Sequence, residues 1–175
     1  MIPILQTEHL VLRGWRLDDF APYRDFVADD HANRFRGGAR TGPDAWNDFA
    51  ALSGEWALRG YGAFALGDRT TGRLAGWCGL WHPAHLDEPE LCWSVFPAFG
   101  GRGYATEAAG RALRWVVDDL GLAAPFSLTD PNNIASQRVA EKLGAEREAD
   151  IEFEGRLSFV YRHRHPAAKA LSQAS

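Results

Sequence analysis

Apolar positions along the chain switch between two periods, and the switches mark the elements. Leu10, Val11 and Leu12, between His9 and Arg13, read as a strand. Phe20, Tyr23, Phe26 and Val27 then fall at helical spacing behind Asp18-Asp19, which predicts a helix capped there and running to about residue 29. Residues 31–42 break the pattern with Arg34, Arg36, Arg40 and the pair Gly37-Gly38, and read as a loop. Thr41, before Pro43, opens a second helix whose inward face would hold Trp46, Phe49, Ala50 and Trp56. Three strands follow, at residues 61–66, 74–81 and 90–96. A Gly67–Gly72 hairpin turn joins the first two, and residues 82–89 form a polar turn before the third.

The period then returns to the helical one. Residues 104–120 carry Ala105, Ala108, Ala109, Ala112, Leu113, Val116 and Leu120 on one stripe, and Gly121 is the expected stop. Glu107/Arg111 and Arg114/Asp118 are spaced to pair on the wet side. Residues 126–129 form a short strand. Asn132 or Asn133 caps a helix running to Leu143 and ended by Gly144. Strands at 147–153 and 157–163 close the series around a Glu154-Gly155-Arg156 turn. The order β α α β β β α β α β β predicts an α/β (α+β) mixed sheet with helices on both faces.

Composition narrows the classes. The chain has 175 residues, 46% apolar and 24% charged. That predicts a single domain over residues 1–165, with an Ala-rich tail at 166–175 expected to fray. A domain of this size needs no metal or disulfide to hold it together. A formal charge of -4 and a pI near 5.8 disfavour a general nucleic-acid binder. Mean hydropathy is -0.30, and no apolar run approaches a membrane span. The start of the chain lacks the order of a signal peptide. Two cysteines, Cys78 and Cys92, cannot build a disulfide framework, so the expected compartment is a reducing cytoplasm.

The loop Gly100-Gly101-Arg102-Gly103-Tyr104-Ala105-Thr106 lies between a strand and a helix. The first N–H groups of a helix lack partners, and the macrodipole adds positive potential there. Glycines let the backbone approach a ligand, so the loop is suited to a phosphate. No G-x-x-x-x-G-K-[S/T] occurs, which disfavours a Walker-type nucleotide site. Gly101 to Thr106 is a near miss of the dinucleotide fingerprint, but three strands precede it and Asp130 comes 27 residues after Gly103. A dinucleotide oxidoreductase is therefore the weak alternative, and a bare strand-to-helix turn the bland one.

With Glu90-Leu91-Cys92-Trp93-Ser94-Val95, Pro97, the glycine loop, Asp130-Pro131-Asn132-Asn133-Ile134-Ala135-Ser136 and Glu141-Lys142-Leu143-Gly144, the chain resembles the GCN5-related N-acetyltransferases (GNAT). The likeness points to the branch that includes ribosomal-protein N-terminal acetyltransferases, and it spans residues 7–164. The family loop is often written Q/R-x-x-G-x-G/A; Gly103 and Ala105 match it, and Gly100 replaces Q/R. The resemblance implies the acyl-CoA N-acyltransferase fold, largely antiparallel with a central splayed parallel strand pair. It implies acetyl-CoA as co-substrate, with its pyrophosphate on Gly100, Gly101, Arg102, Gly103, Tyr104, Ala105 and Thr106. It also implies that Trp93, Ser94 and Val95 offer backbone to the pantetheine arm, that Val95 supplies the oxyanion N–H, that Asn133 contacts the arm, and that Ser136 lies near the sulfur. A pantetheine carries amides, so it can pair with an exposed strand edge as a peptide would. Arg102, Arg111, Arg114 and Arg138 can focus local potential on an anion, and Arg138 is counted with the CoA contacts. Many family members place a Tyr acid seven residues after this Asn; Ala140 stands there, which leaves Ser136 or a water as proton donor.

Direct attack on a thioester needs a neutral amine, and an α-amino group or a lysine-like ammonium must first lose a proton. Glu90 is the first candidate base, sharing a strand face with Cys92 and Ser94, opposite Trp93 and Val95. Over a straight strand it lies about 16 Å from Val95, so it would act through water or on the amine's path of approach. A surface Glu on a strand end is the bland alternative. Glu152, Glu154, His82 and His85 are other candidates. Cys92 as an acetylated nucleophile lacks a His at motif spacing and reads better as a buried hydrophobe. No histidine sits in a metal-ligand pattern, so no metal is expected. Most of the seven tryptophans fit core positions, with Trp81 and Trp93 the ones to test for a pocket. The resemblance puts the acceptor walls at residues 31–42 and 152–156. The acceptor is expected to be a small-molecule amine or a protein N-terminus, with no nucleic-acid or membrane partner. Arginines in the first loop tilt against polyamines and aminoglycosides. A homodimer is one open arrangement, and a non-catalytic acyl-CoA sensor on the same fold is the rival function.

Overall fold

The structure is a computed structural model and describes residues 1–164. The tail expected to fray, 166–175, lies outside the described residues. In chain order the elements are β1 (Leu5–Gln6), β2 (Leu10–Arg13), a 3-10 turn (Leu17–Asp19), α1 (Phe20–Val27), α2 (Asp30–Asn33), α3 (Gly42–Arg59), β3 (Ala63–Asp68), β4 (Leu74–Trp81), β5 (Glu90–Val95), α4 (Tyr104–Arg114), β6 (Phe126–Thr129), α5 (Ile134–Lys142), β7 (Glu146–Phe153) and β8 (Arg156–Arg162). They form one eight-stranded sheet in the order β1-β2-β3-β4-β5-β6-β8-β7. Every pairing is antiparallel except β5 with β6. A largely antiparallel sheet with one central parallel pair is the arrangement that the family resemblance implied. Among the described residues no helix is long and apolar enough to cross a membrane.

Directly paired residues share a face, so Trp77, opposite Ala65 and Ser94, lies on one side of the sheet, and Phe64, opposite Cys78, on the other. Tyr23 and Phe26 of α1 pack their rings 5.2 and 5.5 Å from Trp77. Trp115, just after α4, packs 5.0 Å from Phe64. α3 buries Ala45, Phe49, Leu52 and Trp56, a clean helical stripe. The expected inward pair Trp46 and Ala50 is instead turned out, Trp46 being 45% exposed and resting edge-on against Phe20. The Trp15 and Trp56 indoles both donate to the Ala63 carbonyl at 2.9 Å, which fixes both segments to the start of β3.

Other differences have local causes. Asp19 does not cap α1; its carboxylate is held by the Arg13 guanidinium at 2.7 and 2.8 Å. The long helix expected to residue 120 ends as α-helix at Arg114 and continues as a π turn over Trp115–Asp119, where the Trp115 and Val116 side chains stay buried. Glu107 does not join Arg111; it accepts from the His9 amide at 2.8 Å and meets the His9 ring at 2.9 Å. β1 escapes the sequence pattern because it is two residues long, and α2 because it is a single turn.

Candidate active site

β5 and β6 are in register at one pair only, Glu90 with Phe126. Beyond it the main chains part, and side chains span the join. The Leu128 amide donates to Glu90 Oε1 at 3.1 Å. Ser127 Oγ donates to the Leu91 carbonyl at 2.5 Å and meets His163 Nε2 at 2.8 Å. A carbonyl can only accept, so the Ser127 proton is spent on Leu91 and His163 must donate from Nε2. His163 Nδ1 is buried without a partner among the described residues, and burial pushes the ring's pKa down to about 4. Side-chain bonds thus replace the main-chain ladder where the two strands part as a V.

Backbone alternation sets what faces the opening. The Phe96 amide turns to β4, donating to Ala75 at 2.8 Å, whereas the Leu91 carbonyl turns to β6. By the same two-residue repeat, the N–H and C=O groups of Trp93 and Val95 point into the gap. Ser94 points its backbone back to β4, its carbonyl lying against Gly76, so of the three residues expected along the arm only two offer main chain. Gly76, with φ of 149°, is required there, because a Cβ would overlap the Ser94 carbonyl. The Trp93 ring packs on the other side with Ala140 and Tyr161 and helps seat α5.

The glycine loop stands at the C-terminal end of β5. Gly101 and Gly103 have φ of 74° and 79°, and Gly103 precedes the first turn of α4. After the turn, the first amide with a main-chain acceptor is that of Glu107, which donates to Gly103 at 3.0 Å. The amides of residues 101–106 are thus available to an anion. Arg102 is exposed and lies over Phe99 at 5.6 Å. Tyr104 contributes only its amide, since its buried hydroxyl donates to Asp68 at 2.6 Å; that bond and Thr71 pull the Asp68 carboxyl down to about 2. Arg138 is exposed on α5.

A cavity of about 370 Å³ opens beside the V and brings Glu90, Asn133 and Ser136 together. Asn133 caps α5, accepting from the Ser136 amide at 3.2 Å. Burial pushes the Glu90 carboxyl up to about 7, against the pull of the Leu128 amide and Arg36. Cys92 lines the same cavity, but burial drives its thiol far above neutrality, which argues against a thiolate nucleophile. Both His82 nitrogens are engaged, Nε2 with the Leu86 carbonyl at 3.0 Å and Nδ1 with the Tyr61 hydroxyl at 2.7 Å, so this ring shapes the 82–89 turn. His85 is exposed and lies 3.9 Å from Glu154. Glu154, Trp81 and Trp93 line the cavity, and Glu152 is exposed on β7. Among the described residues, no group of three or more His, Cys, Asp or Glu side chains could hold a metal ion. Sequence reasoning missed Ser127 and His163, whose only signal was a polar pair on two strands otherwise read as core.

The parted strands and the glycine turn are the features the resemblance implied, and the chain matches the acetyltransferase (GNAT) domain model over residues 9–146. The chain belongs to that family. It is similar to the acetyltransferase from Agrobacterium tumefaciens str. C58, with 34% identity and a TM-score of 0.87 over 94% of this chain and 95% of that one. Its fold is shared at 17% identity, TM-score 0.71, by the spermidine N-acetyltransferase from Vibrio cholerae in complex with CoA and spermine, over 89% of this chain and 94% of that one. At 13% identity, TM-score 0.74, it is shared by the ribosomal-protein-S5-alanine acetyltransferase from Vibrio fischeri, over 93% and 97%. Among curated Bacillus subtilis (strain 168) proteins, YkkB, described as uncharacterized, is 34% identical over 91 residues, 49% of this chain and 52% of its own length. The uncharacterized N-acetyltransferase YnaD is 36% identical over 59 residues, 34% of this chain and 35% of its own. The chain thus spans about half and about a third of these two curated relatives.

Proposed function

We propose that the protein transfers an acetyl group from acetyl-CoA to a primary amine by direct attack in a ternary complex. One observation carries this reading: the single-pair parting of β5 and β6, with a buried carboxyl at its vertex, pushed up to about 7 by that burial, and a free strand edge beside it. The residues fit the donor, since amides of residues 101–106 suit a diphosphate and the Trp93 and Val95 backbones suit an amide-bearing arm. Glu90 takes the proton from the incoming ammonium, directly or through water. The Val95 N–H supports the developing oxyanion, and as the intermediate collapses Ser136 relays the remaining proton shed by the attacking nitrogen to the departing sulfur. Ala140 is fully buried beneath Trp93, so no side chain at that position reaches the sulfur.

The test is thiol release from acetyl-CoA across a panel of amines, with mass detection of the N-acetyl product. Turnover with at least one amine, lowered in Ser136→Ala without weaker acetyl-CoA binding, is the expected result. Acetyl-CoA binding without product from any amine would instead support an acyl-CoA sensor. Stabilisation by NADH but not by acetyl-CoA would support the dinucleotide alternative.

A further inference from the structure

The acceptor side of the cavity holds two polar groups that the transfer chemistry does not use. The first is Arg36. Its guanidinium lies over the Trp77 ring, 4.5 Å from the centroid, and donates once to Asn33 Oδ1 at 2.9 Å. Among the described residues it makes no ion pair, although Arg40, four residues on, is paired with Asp48 at 2.7 Å. Burial lowers its pKa, the mark of a cation short of solvent and of counter-charge. The second is Tyr23. Its side chain is fully buried at the wall of the same cavity, and its hydroxyl meets no hydrogen-bonding group among the described residues except the neighbouring Arg36 side chain. The two groups are neighbours: Arg36 opposes the rise to about 12 that burial gives the phenol. A guanidinium with no counter-charge beside a buried phenol is costly unless a ligand completes it. What both can do is donate, and the ligand that accepts from a planar guanidinium fork and a hydroxyl is a carboxylate.

Glu90 lines the same cavity and feels Arg36 electrostatically. The space therefore presents a donor wall at one place and a proton acceptor at another. We infer that the acceptor substrate is a small amino acid or a close amino-carboxylate, its carboxylate held by Arg36 and Tyr23 and its amine delivered to Glu90. The volume, about 370 Å³, suits a small molecule. The lining carries Arg36, Arg40 and Arg156 as well as Asp48, Glu90, Asp130 and Glu154, and with Arg40 paired to Asp48 the charges that would repel a polyamine are those on Arg36 and Arg156. The inference rests on the acetyl-transfer reading for its amine, and on the donor wall alone for its carboxylate.

The test uses the full chain and amino acids in matched sets: each free acid, its α-carboxamide, and the decarboxylated amine. Thiol release from acetyl-CoA should favour the free acid in kcat/KM by about 10- to 100-fold, the worth of a charge-assisted hydrogen-bond pair. Arg36→Gln should raise the KM of the acid by a similar factor, leave the KM for acetyl-CoA unchanged, and erase the preference over the amide. Tyr23→Phe, which keeps the core volume, should give a smaller rise in the same direction. Amides or decarboxylated amines acetylated as well as the acid would overturn the inference, as would an acid-to-amide ratio unmoved in a folded Arg36→Gln. Calorimetric binding of the free acids, with acetyl-CoA present, separates the two readings. Binding that needs Arg36, without turnover, sinks acetyl transfer and keeps the carboxylate site; turnover of amines with no acid preference does the reverse.

Discussion

Glu90 has two roles that conflict. It bridges to the Leu128 amide at the vertex of the V, and it titrates near 7 because burial disfavours its charge. A carboxyl raised from 4.5 to about 7 on folding is one whose protonated form the fold prefers. That preference is fully present below pH 4.5 and is lost as pH climbs through 7. Gln keeps an acceptor for Leu128 without the charge. Glu90→Gln should therefore raise the unfolding free energy at pH 8 by about 3 kcal/mol, seen as a higher denaturant midpoint. The same variant should lower kcat about 100-fold and flatten the rise of kcat/KM with pH centred near 7. A pH profile that keeps its limb in the variant would remove Glu90 as base. Gly76 is the opposite case, a residue with a single role. Gly76→Ala drives a methyl into the Ser94 carbonyl and should cost at least about 3 kcal/mol in chemical denaturation. Such roles are invisible in composition. Arg36 and Arg40 look alike in the sequence, and only the location of Asp48 decides which keeps an open charge.

Elements were legible wherever their own pattern sufficed. β4 and β6 lie where alternation and punctuation put them, and Asn133 caps α5 as its type predicts. What failed depended on partners distant in sequence. Trp46 fits a helical stripe, but the sheet lies under Ala45 and Phe49, so the stripe rotates by one position. Glu107 has Arg111 one turn away, yet is claimed by His9 from the start of β2. The glycine turn was readable because its requirement is local: two positive φ angles before a helix. The consequence is measurable at the same scale. Gly103→Val forces a β-branched residue into the left-handed region and crowds the amides that follow. It should weaken acetyl-CoA binding about tenfold or more by calorimetry, while amine binding and the far-UV spectrum stay unchanged.

At the scale of the molecule, the sheet is two leaves, β1 to β5 and β6-β8-β7, joined in the backbone at one register pair. The Ser127 bond to the Leu91 carbonyl strengthens that join, and His163, which holds the same hydroxyl, makes it sensitive to acid. His163 falls from 6.5 to about 4 on folding, so it contributes stability that is full above 6.5 and lost as pH falls towards 4. Acid unfolding of the wild type should carry this one-proton dependence, and His163→Gln should lack it when midpoints are measured from pH 7 to 4. Ser127→Ala leaves the Leu91 carbonyl unpaired in the core and should cost about 1–3 kcal/mol in denaturant unfolding.

The strand that completes the second leaf is the last of the eight to be translated. β8 lies between β6 and β7, so β6 has no antiparallel neighbour until residues 156–162 have left the ribosome. His163 comes later still, and with it the far end of the bridge to Ser127. The first leaf, with the glycine turn and α4, can be assembled while the nascent chain is still being made. The opposite wall of the cleft cannot, so the cleft stays one-sided until residues 156–163 have been translated and paired with β6.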